Sequence, residues 1–218
     1  MIPGSIFPSF LTNKYDPTAD PYYAQVTHLY HCDGTAGSTS FLNSKTSTSV
    51  TATSVTNAVA SARFGTAGAS FGAGGILPLG TITIPTAFTF EMWLKPTGAP
   101  TACGITGPNA GNLIMGYRSS TQFGVGVQGG FIVYGTGVPT AGVWNFVVVQ
   151  RDASNNVSVY VNGSRSAYGQ MTNSFSTASP YRVQSDVALS IDEIRFTPGV
   201  SRYSGSSCPV PSKAFVNA

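Results

Sequence analysis

Phe88-Thr89-Phe90-Glu91-Met92-Trp93-Leu94-Lys95, closed by Pro96, decides how this chain is read. Phe88, Phe90, Met92 and Leu94 fall on one face of an extended segment. Thr89, Glu91, Trp93 and Lys95 fall on the other. A period of two is the mark of a β-strand, and a proline ends it. Further along, Trp144 to Arg151 is apolar on both faces, as a central strand is. Asp152–Asn156 predicts a turn and Val157–Val161 a strand. Asn162-Gly163 then supplies the strongest short hairpin signal. Ala188 to Phe196, with Leu189, Ile191, Ile194 and Phe196 apolar, predicts the last strand.

Outward from these segments the pattern stays β. Val26 to His31 predicts a short strand that runs into a turn at Asp33-Gly34. Residues 35–61 are dominated by Ser and Thr, with Val50, Val55 and Val59 among them, which favours irregular strands and loops. Gly72 to Gly80 reads as a glycine-rich bend. No stretch of a dozen residues carries a helical stripe. Many short strands with turns between them imply a sandwich or barrel.

Residues 1–21 stand apart. Pro3, Pro8 and Pro17 interrupt them, and Ile2, Ile6, Phe7, Phe10 and Leu11 follow neither helical nor strand spacing. Segments that never fold are poor in such side chains. Burying each one contributes roughly 1.5–3 kcal/mol. The expectation is an extended arm, 1–21, that docks on a partner or on the domain's own surface. A single domain then spans 22–218, beginning at Tyr22 and including an extended C-terminal tail marked by Pro209, Val210, Pro211 and Phe215.

Composition narrows the class. Of 218 residues only 9% are charged, 11 basic against 8 acidic, for a net charge of +3. Soluble domains average roughly 25% charged. The excess is too small, and too scattered, for a polyelectrolyte-type nucleic-acid binder. Ser, Thr and Gly number 26, 24 and 25, so hydroxyls rather than charges solvate the surface. That suits a protein packed into an assembly or exposed outside a cell. It also does little to discourage self-association, so a symmetric homo-oligomer, a trimer, is expected. No apolar run approaches the ~20 residues of a membrane span. The N-terminus lacks the charged and apolar regions of a signal peptide. Cys32, Cys103 and Cys208 give neither a disulfide framework nor metal spacing, which predicts free thiols.

Five stretches in this order resemble one family. They are DPYYAQVTHLYHCDGTAGSTSFLNS (20–44), SARFGTAGASF (61–71), FTFEMWLKP (88–96), WNFVVVQRDASNNVSVYVNGS (144–164) and SIDEIRFTPGVSRYSGSSCPVPSKAF (190–215). The chain resembles a concanavalin A-like jelly roll of the laminin-G type, in the form common in tailed-bacteriophage virion proteins. The resemblance implies an all-β fold of two antiparallel sheets packed face to face. It implies a non-enzymatic virion protein, foremost a capsid decoration or cement protein assembled in the host cytoplasm. Such a protein would attach to other virion proteins through its arm and display a lectin-like sandwich. The alternative is a glycan-binding tail-fibre or accessory receptor-binding module. Fold alone does not choose between them.

The candidate sites weigh against catalysis. Glycoside hydrolysis needs two carboxylates about 5–9.5 Å apart across the bond. Glu91 is alone in its strand, and Asp192 and Glu193 are adjacent, which in regular β alternation sends them to opposite faces. No catalytic or cofactor-binding residue is assigned. For metals, phage-type relatives often carry an acidic loop where this chain reads GAGGILPL (72–79), without a carboxylate. Asp33, Asp152 and Asp186 remain, and an Asx turn at Asp33-Gly34 is preferred to a calcium site. His28 and His31 read as packing or hydrogen-bonding residues. Gly124-x-Gly126-x-x-Gly129 lies among strand residues with no helix to follow, which excludes a dinucleotide site. Exposed aromatics serve as platforms for sugars, and Trp144, Tyr117, Tyr134, Tyr181 and Tyr203 are the candidates for a host surface glycan.

Overall fold

A computed structural model describes residues 20–217. The arm residues Ile2, Ile6, Phe7, Phe10 and Leu11 lie outside the described residues. Fifteen strands follow in chain order: β1 (His28–Tyr30), β2 (Ser40–Asn43), β3 (Thr48–Thr51), β4 (Thr53–Ala58), β5 (Gly68–Ile84), β6 (Phe88–Pro96), β7 (Cys103–Thr106), β8 (Leu113–Ser119), β9 (Gln122–Val127), β10 (Gly130–Gly135), β11 (Asn145–Arg151), β12 (Asn156–Val161), β13 (Ser164–Gln170), β14 (Phe175–Ser185) and β15 (Leu189–Pro198). Helix is confined to single 3-10 turns at Tyr23–Gln25 and Val59–Ser61 among the described residues.

Thirteen of these strands form one antiparallel path, β10-β9-β8-β7-β14-β5-β15-β6-β11-β12-β13, with β1 on β15 and β4 on β5, while β2 and β3 pair only with each other as a separate hairpin. The path folds back on itself into two layers. β5 makes the crossing, because Ala69–Phe71 pairs with β15 and β4 while Ile76–Ile84 pairs with β14. This corrects the bend expected at Gly72–Gly80. The segment lies within β5, a continuous 17-residue strand from Gly68 to Ile84. Its glycines supply positive φ at Gly74 (75°) and Gly80 (82°), where the strand changes layer and register. The ends of the path meet as well. A Cβ on Gly135 of β10 would lie 2.0 Å from the Ser166 carbonyl of β13.

The core lies between the layers. Phe88, Phe90, Met92 and Leu94 of β6, with Val147 and Val149 of β11, face Ile105, Met115, Phe123 and Val125 from β7, β8 and β9. Phe90 stacks on Phe196 of β15 at 4.2 Å between ring centres. The alternation expected for β6 therefore holds. So does the hairpin, with Asn162 at φ 50° and Gly163 at φ 85° joining β12 to β13. The C-terminal tail buries Cys208 and Phe215. Arg151 is 1% exposed and donates to the carbonyls of Thr86, Met171, Asn173 and Pro85, stitching two loops together. Cys32, Cys103 and Cys208 are unpaired and buried.

Candidate functional site

The two outer faces of the sandwich differ. On the layer of β6, β11 and β15, the alternate residues Trp93, Phe146, Val148 and Tyr160 form a second apolar cluster. The chain ends roof it, with Val26 and Leu29 from one side and Cys208 and Phe215 from the other. Beside it, Arg195 Nε and Nη2 donate to the two oxygens of Glu91 at 2.7 and 2.9 Å. Tyr203 Oη donates to Glu91 Oε1 at 2.6 Å. Arg202 reaches the same carboxylate at 3.3 Å. Asp20 closes the cluster, accepting from Arg195 and from both Arg202 terminal nitrogens at 2.8–2.9 Å. Burial opposes the Glu91 charge, but Arg195 and Arg202 prevail and hold its carboxyl below the usual carboxylate range. Asp20, which the sequence reading assigns to the arm, is held here by both arginines.

The carboxylates expected to stand on opposite faces are arranged by a bulge. β15 gains one residue between Asp192 and Arg195 against Trp93 and Glu91, and Glu193 takes a φ of 53°. Asp192 accepts from the backbone amides of Arg63 and Phe64 at 2.8 and 2.9 Å. Burial raises its pKa to about 7. Glu193 accepts from His31 Nδ1 at 2.9 Å and from the Phe215 amide at 2.7 Å. His31 Nε2 faces Asn217 Oδ1 at 2.8 Å. Burial disfavours the imidazolium, yet the Glu193 hydrogen bond and charge outweigh it and raise the His31 pKa to about 9. Asp33, Asp152 and Asp186 each accept from two backbone amides of nearby loops. No group of three His, Cys, Asp or Glu capable of holding a metal ion occurs among the described residues.

The other outer face, on β14, β7, β8, β9 and β10, is open. Its outward residues form two rows across the strands. Register places Gln184, Gly104, Gly116, Gly124 and Tyr134 in one. Arg182, Thr106, Ile114, Gly126 and Phe131 make the other. Their inward neighbours Cys103, Ile105, Met115, Tyr117, Phe123, Val125 and Val183 are core. Glycine is required in the floor. A Cβ would lie 1.9 Å from the Met115 carbonyl at Gly104, 2.0 Å from the Cys103 carbonyl at Gly116 and 2.3 Å from the Val133 carbonyl at Gly124. Without side chains there, Ile114, Arg118, Gln128, Phe131 and Gln184 wall a groove of about 190 Å³. Arg118 lies 4.0 Å over the Tyr134 ring, beside the groove.

The aromatic candidates separate accordingly. Tyr134 is 39% exposed on this open face. Tyr117 and Tyr181 are corrections: both are core, 3% and 1% exposed. The Tyr117 hydroxyl donates to the Pro139 carbonyl, and the Tyr181 oxygen accepts from the Leu113 amide. Neither ring is presented on the outer face as a platform. Tyr203 is committed to Glu91, and half-buried Trp144 packs against the roofed cluster with Lys95 over its ring. The groove itself escaped the sequence reading. Its signal is alternation of glycine with large apolar residues in Cys103-Gly104-Ile105, Met115-Gly116-Tyr117 and Phe123-Gly124-Val125-Gly126.

No helix among the described residues is long and apolar enough to cross a membrane. No curated protein matches the chain. Among solved structures, domain 4 of the extracellular arabinanase AbnA of Geobacillus stearothermophilus, in complex with arabinotriose, superposes with a TM-score of 0.60 at 17% identity. The match covers 80% of this chain and 93% of that one. Trypanosoma rangeli sialidase in complex with sialic acid gives 0.54 at 14% identity, over 80% of this chain and 31% of that one. The receptor-binding domain of botulinum neurotoxin mosaic serotype C/D gives 0.59 at 10% identity, over 83% and 49%. At these identities the likeness is one of fold. A family profile decides membership, because it matches residues 71–191, more than half of the chain: the protein belongs to the concanavalin A-like lectin/glucanases superfamily.

Proposed function

We propose that this protein is a non-enzymatic glycan-binding module of a tailed-phage virion, presenting the glycine-floored groove to carbohydrate. The groove carries the reading. It combines a flat floor, the half-buried ring of Phe131, planar amides at Gln128 and Gln184, and the exposed Tyr134 ring beside it, groups that stack on and hydrogen-bond to sugars. Two structural neighbours were solved with arabinotriose and sialic acid, which supports carbohydrate as the ligand class. Against hydrolysis, Glu91, Asp192 and Glu193 are fully committed to other protein groups, and no carboxylate lines the groove. The binding proposed needs no metal.

Attachment falls to the opposite side. Asp20, the first described residue, is held by Arg195 and Arg202 on the roofed face, which supports placing attachment there. In this reading Ile2, Ile6, Phe7, Phe10 and Leu11 dock on another virion protein. The chain acts as a homo-oligomer, a trimer, in a particle assembled in the host cytoplasm. A capsid-decoration role, with the sandwich as spacer, is the second reading, favoured by the phage-type GVSRY tail at 199–203.

A glycan array on the full chain, beside a Phe131→Ala/Tyr134→Ala variant, tests the first reading. Retention lost in the variant is expected. Equal retention by the variant, or none by either protein, would defeat it and leave the decoration role. Locating the chain on intact particles, with and without residues 1–19, tests attachment.

A further inference from the structure

The cations of the open face narrow the ligand. Six of the eight acidic residues of the chain lie on the other layer, in its turns or outside the described residues, and Glu193 sits in the β15 bulge. The one near the groove, Asp186 at the Thr101–Ala102 end, is occupied: its Oδ2 accepts from both of those amides and from the Thr101 hydroxyl. Two arginines, by contrast, stand on this face without a carboxylate partner among the described residues. Arg118 gives Nη1 to Gln122 and stacks on Tyr134. Arg182 gives Nε to Gln184 at 3.1 Å. Among the described residues each has guanidinium donors left over, beside a glutamine that orients it. A guanidinium plane suits a carboxylate, which it can grip with two parallel hydrogen bonds.

Their spacing points to an oligomer. Arg182 stands in the row of Ile114, two strands from β8, on the order of 10 Å across the sheet. Arg118 lies four residues along β8 from Ile114, on the order of 13 Å. A single sugar cannot reach both. We propose, building on the glycan-binding reading above, that the groove takes an acidic oligosaccharide. Its sugar rings lie on the glycine floor against Phe131, and carboxylates borne by separate residues of the chain are bound at Arg118 and Arg182. Nucleic acid is disfavoured as the anion, because two cations neutralise too few phosphates to hold it.

The test uses the full chain on an array of uronate- and sialate-bearing oligosaccharides, each printed beside its carboxyl-reduced, neutral counterpart. Only acidic members should be retained, and retention should fall as salt rises. Arg118→Ala and Arg182→Ala should each weaken binding roughly tenfold or more, the scale of a charge-assisted hydrogen bond. Arg118→Lys should recover part of it, and both variants should melt with the parent. Equal binding to neutral counterparts, or arginine variants that bind as the parent does, would sink the acidic assignment while leaving a glycan groove. Retention of single-stranded DNA in preference to every glycan would replace the ligand class. No glycan bound at all would remove both proposals together.

Discussion

The roofed and the open face of this sandwich solve opposite problems. The roofed face carries Trp93, Phe146 and Tyr160, too much apolar surface to leave in water, and the chain ends cover it. Charge is buried there too, and survives because each carboxylate oxygen of Glu91 and Asp20 has a donor. The open face has glycine where the roofed face has aromatics, so it needs no cover. Buried charge and a second apolar cluster are concentrated on one outer face, and the other is left uncovered.

The comparison is broken most severely at Glu91. Glu91→Gln leaves Arg195 and Arg202 buried beside a neutral amide. Removing one member of a buried pair costs about 3–5 kcal/mol. At about 2–4 °C per kcal/mol for a domain of this size, Tm should fall by roughly 10 °C. Glycan retention at low temperature should persist. A Tm within about 2 °C of the parent would mean that the cluster contributes little.

On the open face the sensitive positions are the floor glycines. Gly116→Ala places a methyl against the Cys103 carbonyl at a φ of 151°. Overpacking of this kind costs about 1–3 kcal/mol. Gly98→Ala is the control, with nothing within 4 Å of its Cβ, and should be neutral or slightly stabilising. If both variants melt alike, the floor is not constrained by strand approach.

A smaller effect follows from pH at the rim of the roof. Both His31 ring nitrogens face acceptors, Glu193 and Asn217. Its folded pKa of about 9 lies above the ordinary 6.5. A raised histidine contributes stability that is full below about 6.5 and is lost as pH rises through about 9. Asp192 acts in the same direction at lower pH. Its folded pKa of about 7 exceeds 3.8, so its contribution declines between those values. Tm measured from pH 6 to 9.5 should fall, and His31→Gln should flatten the upper part of that decline. A parent Tm that rises over this range would contradict the assignment.

How much of this was legible depended on range in sequence. β6 and the β11–β12–β13 meander could be read because period-two alternation and Asn162-Gly163 are local signals. β5 could not. Its glycines look like a breaker until β4, β15 and β14 supply partners on both sides. Glu91 reads as solitary because its partners are 104 and 112 positions away at Arg195 and Tyr203. Tyr117, Tyr181 and Tyr134 look equivalent, since a tyrosine does not state which side of its strand meets the core. The groove lay hidden for a related reason. Glycine alternating with large residues marks an unfilled outer face, yet it resembles a weak strand when each segment is read alone.

The smallest expected effect sharpens the contrast between a turn and a site. Asp33 Oδ1 accepts from the Thr66 and Ala67 amides at 2.6 and 3.0 Å, and Asp152 Oδ1 from Ser154 and Asn156 at 2.8 and 2.9 Å. These oxygens satisfy backbone donors that would otherwise go unpaired: Asp152 within its own turn, and Asp33 across to the loop at 66–67 rather than in the Asx turn expected at Asp33-Gly34. Calcium takes six to eight oxygen ligands, and a carboxylate spent on amides would have to surrender them to bind it. An ion that binds only the native state raises Tm in proportion to its occupancy. Adding EDTA, and then calcium in excess, should therefore move Tm by less than about 2 °C. A fall of more than about 5 °C with EDTA, restored by calcium, would show that one of these loops rearranges around a metal. Asp33→Asn, Asp152→Asn and Asp186→Asn would then identify which, since only the variant lacking the ligand would lose the calcium response.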